Sequence, residues 1–321
     1  MPLESIRSLL QPDLAATDKL MTGTLSEIPL IQQLTQHIFA AGGKRIRPLL
    51  TLLTANAFGH IDQQHISLAA AIELIHTATL LHDDVVDNST LRRGNQTANG
   101  IWGNEASVLV GDYLYSRAFQ LVVALKNQEI LGIFAEATNL IAEGEIMQLA
   151  NCHDPDITEE AYYDVIQRKT AKLFEVAAHT GAVLTNPTSD QTAAIKHYGI
   201  SLGTAYQLID DAMDYHSSAS EMGKNTGDDL ADGKPTLPLI HALRHAPSSE
   251  ADILRDAIRT GSRENLDAIL GVIESTGAIK YTAAAAEKQI QQALASLTII
   301  PNSPYRQGLH DLAQFVIART Y

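Results

Sequence analysis

Apolar residues recur at three- and four-residue intervals along most of this chain, and strand-like alternation bounded by turn signals is nearly absent. Prolines stay at segment edges: none falls between Leu49 and Asp154, and none between Thr188 and Lys234. The pattern predicts an all-α protein of about ten or more helices. One is expected from the mid-twenties to Ala41, stopped by Gly42-Gly43. Others are expected near Arg47 to Phe58, Ser67 to Val86, Glu105 to Lys126 and Glu129 to Asn151. Thr158 reads as an N-cap with acidic residues in the turn behind it. A helix from about Gln191 carries the next stretch, and the turn-rich segment Ser217 to Pro235 reads as the longest loop.

Composition narrows the class without changing that picture. The 321 residues are 45% apolar and 19% charged, enough for a sizeable core. No linker or low-complexity tract interrupts them, so a single domain over 1–321 is expected. A formal net charge of −14 argues against nucleic acid as a partner and against a polybasic membrane anchor. One cysteine, Cys152, rules out a disulfide framework and fits a reducing compartment. No run of 18 apolar residues appears, and the amphipathic, acidic start is unlike a signal peptide. A soluble, cytoplasmic protein is expected.

Chemistry enters with two short stretches. "LLHDDVVDNSTLRRG" (Leu80 to Gly94) and "QLIDDAMDYH" (Gln207 to His216) each place Asp-Asp-x-x-Asp in apolar sequence. On a helix, Asp83, Asp84 and Asp87 share an arc of about 100°, as do Asp210, Asp211 and Asp214. Partly buried carboxylates so arranged repel one another and lose hydration, so something cationic must offset them. Oxygen-only ligands suit Mg²⁺ or Mn²⁺, and Mg²⁺ is usually bound by one or two carboxylates together with substrate phosphates. Basic residues stand where such phosphates would need them: Lys44, Arg45 and Arg47 in "GGKRIRP", Arg92 and Arg93, Lys169 beside Thr170, then Lys224 and Lys234. His76 lies two turns before Asp83 on roughly the same face. The residues point to a bundle holding two facing carboxylate triads, divalent metal and more than one phosphorylated group, and they leave the reaction open.

With these motifs on the page, the chain resembles the trans-isoprenyl diphosphate synthases from about Ile31 to Ala318. "KTAKLF", "GKNTGDDLADGKPTLPLI", "NEASVLVGDYLYSRAFQ" and "AEGEIMQL" extend the likeness. The resemblance implies the isoprenoid synthase fold, helices around a central cavity, and a prenyltransferase with two to three Mg²⁺ ions, which Mn²⁺ can replace. It assigns Asp83, Asp87 and Asp210 as metal ligands, with Asp84, Asp211 and Asp214 in direct or supporting roles. It assigns Arg92, Lys169, Lys224 and Lys234 to the allylic diphosphate, farnesyl diphosphate being the expected primer. Lys44, Arg47, His76 and Arg93 would hold isopentenyl diphosphate, and Thr170 and Gln207 would face the developing cation. A homodimer is the family's usual state.

Chain length is expected to depend on residues before the first triad. In short-chain relatives bulky aromatics there form a floor, whereas Ala78 and Thr79 are small, and Ile75 and Ala71 further up leave room. The roughly 16 residues from Ser67 to Asp83 span about 24 Å, enough for several isoprene units. A long all-trans product of around eight units, of the kind used as a quinone side chain, is expected. The alternatives are a shorter-chain synthase, with small residues merely permitting tight packing, and a non-catalytic subunit of a heteromeric synthase. A terpene cyclase needs no second diphosphate pocket, which Lys44, Arg47 and Arg93 favour. The ending "VIARTY" lacks the basic tail that closes over substrate in some relatives.

Overall fold

The structure, a computed structural model, describes residues 2–23, 26–40, 42–60, 62–92, 94–215 and 226–318. They fall into two compact units: Met1–Ala137 with Leu173–Gly199 and Ser296–Leu312, and Thr138–Lys172 with Ile200–Ala295 and Ala313–Tyr321.

The first unit is built on the helix Gln64–Val86. Its sequence is apolar nearly all round, without proline or glycine, which suits a helix surrounded by others. Leu68 to Ile72, Leu74, Ile75, Ala78 and Leu81 are buried. Ile46–Ala57, another almost wholly buried helix, packs on it, as do Gln11–Thr22 and Asn104–Ala124. Within the same unit the Tyr198 hydroxyl donates to the Leu309 carbonyl at 2.6 Å.

In the second unit a separate apolar cluster forms around Tyr215, Leu230, Leu239, Leu254, Ile258, Ile269 and Ile273. The helices Leu237–His245, Ser248–Thr260 and Leu266–Ser275 supply most of it. Thr158 caps Glu159–Ile166 as expected, its hydroxyl accepting from the Ala161 N–H at 3.1 Å. The helix does not then run on unbroken: Gln167–Ala171 forms a π-helical turn before Lys172–Val183 resumes.

Most predicted helix ends agree with observed ones to within about three residues, Gln64 standing in place of Ser67, but the helix expected from the mid-twenties starts only at Pro29. Pattern reading missed Pro2–Leu9 and Gln11–Thr22 as separate helices. It also missed a two-residue antiparallel hairpin, Leu91–Arg92 with Asn95–Gln96, turning at Gly94, φ +76. Of the loop foreseen at Ser217 to Pro235, 217–225 lie outside the described residues, and Asp228–Ala231 is a short helix. Among the described residues, no helix is long and apolar enough to cross a membrane.

Candidate functional site

In the first unit the Gln64–Val86 helix ends in the first aspartate motif. Its three carboxylates do not share one environment, as the arc geometry had suggested. Asp84 turns inward, only 2% exposed, and takes Arg92 Nε at 2.8 Å and Nη2 at 2.7 Å on one oxygen. Burial raises the Asp84 carboxyl above its ordinary range, and the Arg92 hydrogen bond and charge pull the other way. Asp83 and Asp87 keep partial exposure. The hairpin carrying Arg92 is tied back to the motif by Asn99, whose amide donates to the carbonyls of Asp84 (3.1 Å) and Ser89 (3.2 Å). Val86, one of the apolar residues between Asp84 and Asp87, is 60% exposed. Arg93 lies outside the described residues.

Also in this unit, Arg47 and His76 come together, Nη1 to Nε2 at 3.1 Å. The guanidinium lies over the Phe174 ring, 4.4 Å from its centre, within reach of cation–π attraction. Lys44 is exposed. Of the positions assigned to chain length, Ala71, Ile75 and Ala78 are fully buried. Thr79 is half-buried and donates to the His76 carbonyl at 2.9 Å.

The second unit contains a cleft whose walls include Gln148, Tyr162, Lys169, Thr170, Gln207, Asp211, Asp229 and Lys234. The π-helical turn carries Lys169 and Thr170 into it, a common use of such bulges. Gly144 makes room for that turn: a Cβ there would lie 2.6 Å from the Lys169 backbone nitrogen. Lys169 Nζ donates to Glu145 at 2.5 Å and to Gln148 at 2.7 Å, and Lys234 Nζ to Asp232 at 2.9 Å.

A chain of hydrogen bonds crosses the cleft wall. Thr170 donates to Gln207 at 2.9 Å, Gln207 to Asp211 at 2.7 Å, and Tyr162 to the other Asp211 oxygen at 2.5 Å. Burial, then the charges of Asp229 and Asp210, push the Asp211 carboxyl up to about 8, although the Gln207 and Tyr162 bonds favour its ionised form. Asp214 is also buried and accepts the Asp229 N–H at 3.1 Å. Asp210 stays partly exposed. The two motifs divide differently: the first buries only Asp84 and leaves Asp83 and Asp87 partly exposed, while the second buries Asp211 and Asp214 and leaves only Asp210 partly exposed. Lys224 lies outside the described residues.

Among the described residues, no three carboxylate, imidazole or thiol groups converge closely enough to cage an ion. The carboxylates left partly exposed, Asp83, Asp87 and Asp210, are hard oxygen donors of the kind Mg²⁺ takes one or two at a time beside phosphate oxygen and water. Gln148, Tyr162 and Asp229 are cleft residues that sequence reasoning did not single out, as is Glu145, the partner of Lys169. One signal existed, since Tyr162 precedes Lys169 by seven residues, two helical turns on one face.

Comparison with known proteins identifies the family. A sequence model of the family described as Polyprenyl synthetase matches residues 28–273. The octaprenyl diphosphate synthase of Escherichia coli is 46% identical over 321 residues, 99% of each chain. An all-trans-nonaprenyl-diphosphate synthase (geranyl-diphosphate specific) of Rhodobacter capsulatus is 42% identical, again over 99% of each. A polyprenyl synthase from Caulobacter crescentus, solved with calcium and isoprenyl diphosphate, superposes with a TM-score of 0.95 at 41% identity, covering 99% of this chain and 98% of that one. The chain belongs to the polyprenyl synthetase family, metal-dependent prenyltransferases of the isoprenoid synthase fold that condense isopentenyl diphosphate onto an allylic diphosphate.

Proposed function

We propose that this protein extends farnesyl diphosphate with isopentenyl diphosphate to an all-trans octaprenyl diphosphate, the length made by relatives of 46% identity, for use as a quinone side chain. The observation that carries the reading is the grouping, in one cleft, of Lys169 and Lys234 with the Thr170–Gln207–Asp211 chain. Such a cleft can grip an anionic leaving group while offering oxygen dipoles, and no strong nucleophile, to a cation.

In this reading Lys169, Lys234, Arg92 and Lys224 hold the allylic diphosphate, and Lys44, Arg47, His76 and Arg93 hold isopentenyl diphosphate. The aspartates of both motifs would bind two or three Mg²⁺ ions, whose charge makes the allylic diphosphate a stable leaving group. The allylic C–O bond breaks with its electron pair going to the diphosphate. Thr170 and Gln207 present oxygen dipoles to the allylic cation, the isopentenyl double bond attacks it, and loss of one proton restores an alkene five carbons longer. Ala71, Ile75, Ala78 and Thr79 line the path of the growing tail. Residues 1–321 act as one domain, a reading supported by the chain itself: all five of its passages between the two units fall inside helices. A homodimer is the proposed assembly.

Purified protein incubated with Mg²⁺, farnesyl diphosphate and labelled isopentenyl diphosphate is expected to yield a product ladder ending at eight units. No chain growth would remove the synthase reading, and a ladder ending at three or four would replace the long-chain one.

A further inference from the structure

The turn after Gly42-Gly43 contains a residue that the diphosphate subsites do not use. Arg45 sits at φ +53, a left-handed conformation that side chains with a Cβ disfavour. A strained residue of this kind persists where its surroundings over-determine it. Here they do. Arg45 Nη1 donates to Glu73 Oε1 at 2.7 Å, and the Glu73 side chain is 8% exposed. Asp18 lies 4.0 Å from Arg45 Nε, and the guanidinium stands over the Phe39 ring at 5.4 Å. From the other side Arg7 donates to the carbonyls of Lys44 (3.3 Å) and Gly43 (3.5 Å).

Glu73 and His76 are one turn apart on the Gln64–Val86 helix. The buried ion pair therefore fixes the turn to the same helix that presents His76. It draws the Arg45 side chain inward, leaving Lys44 exposed and Arg47 against His76. Removing Arg45 strands the buried Glu73 carboxylate, so the pair has a strong preference for one register.

We propose that Arg45 and Glu73 are positioning residues that set where Lys44 and Arg47 present their charge to isopentenyl diphosphate, without touching substrate themselves. This rests on the reading of Lys44, Arg47 and His76 as the isopentenyl subsite. Glu73→Gln, which keeps the shape, and Arg45→Met are each expected to raise KM for isopentenyl diphosphate about tenfold, the loss of one charge-assisted hydrogen bond. KM for farnesyl diphosphate and kcat should stay within about twofold. The double variant should be no worse than either single one, and Arg45→Lys should recover most of the loss. The proposal fails if both KM values rise together, or if neither moves in a variant whose circular dichroism matches wild type. Arg47→Ala separates the two readings. If it raises KM for isopentenyl diphosphate while Glu73→Gln does not, only the positioning role falls. If Arg47→Ala has no effect, the subsite assignment falls and takes the positioning role with it.

Discussion

Gly144 is the sharpest place to test the cleft. A Cβ added there would lie 2.6 Å from the Lys169 nitrogen, 2.9 Å from Arg168 Cβ and 3.0 Å from Lys169 Cα, where ordinary contact begins at 3.4 Å. Two of those three atoms are backbone, so a rotamer change cannot relieve the clash, and the π-helical turn must retreat by about 0.8 Å. Overpacking of this kind costs about 1–3 kcal/mol. Alanine in a helix recovers roughly 0.5–1 kcal/mol relative to glycine. Gly132, on the same helix with nothing within 4 Å of its would-be Cβ, isolates that gain. Gly132→Ala should therefore hold or raise the melting temperature, while Gly144→Ala should lie below it by roughly 2–8 °C. A displacement near 1 Å of the groups that position substrate costs on the order of 100-fold in turnover, so kcat of Gly144→Ala should fall by about 10- to 100-fold. Calorimetry and steady-state turnover on the two variants side by side suffice. If Gly144→Ala matches Gly132→Ala in both, the helix does not lie against the turn as described.

Three further outcomes are expected. Ala78→Phe, at a fully buried position, should shorten the product, read on a labelled ladder; unchanged length would sink the assignment of the tail's path. In chelator, stability should fall as pH rises from about 4 toward about 8, because folded Asp211 holds its proton far above the unfolded value of 3.8 and the stability it lends below that value is lost through the folded pKa. Asp211→Asn should flatten that part of the pH profile in denaturant titrations, and an identical slope in both proteins would contradict the burial argument. Tyr198→Phe removes a buried donor from the Leu309 carbonyl and should cost about 1 kcal/mol of stability with turnover per folded molecule unchanged; a loss of turnover would give Tyr198 a role beyond packing.

The all-α class, the central helix and Thr158's cap were legible because each depends on local order: periodicity, proline placement, a hydroxyl beside acidic residues. The hairpin was not, since two residues per strand are too few to show alternation. The π-helical turn was hidden because Gln167–Ala171 has helical composition and the extra residue shows only in its hydrogen bonds. Charge repulsion led to the aspartate motifs, but spacing alone gave Asp83, Asp84 and Asp87 one environment. The buried Asp84 is decided by Arg92, which returns to it through the hairpin. Tyr162 escaped grouping with Asp211 for a related reason: 49 residues separate them.

The chain from Tyr162 to Thr170 also has a direction. An oxygen of Asp211 accepts from the Gln207 NH₂ whether or not the carboxyl holds its proton, so Gln207 turns its carbonyl toward Thr170. That carbonyl takes up the Thr170 proton, and what Thr170 has left to show the cleft is lone pairs. One carboxyl group behind the wall thus makes a hydroxyl act as an acceptor alone, a surface that is negative toward a cation and has no proton of its own to give. Replacing Gln207 by Glu would keep an acceptor for Thr170 but set a second carboxylate against Asp211, whereas Leu would release the hydroxyl to point either way. The polarity of the wall is therefore written from the back of the cleft, at a carboxylate that need not meet the substrate at all.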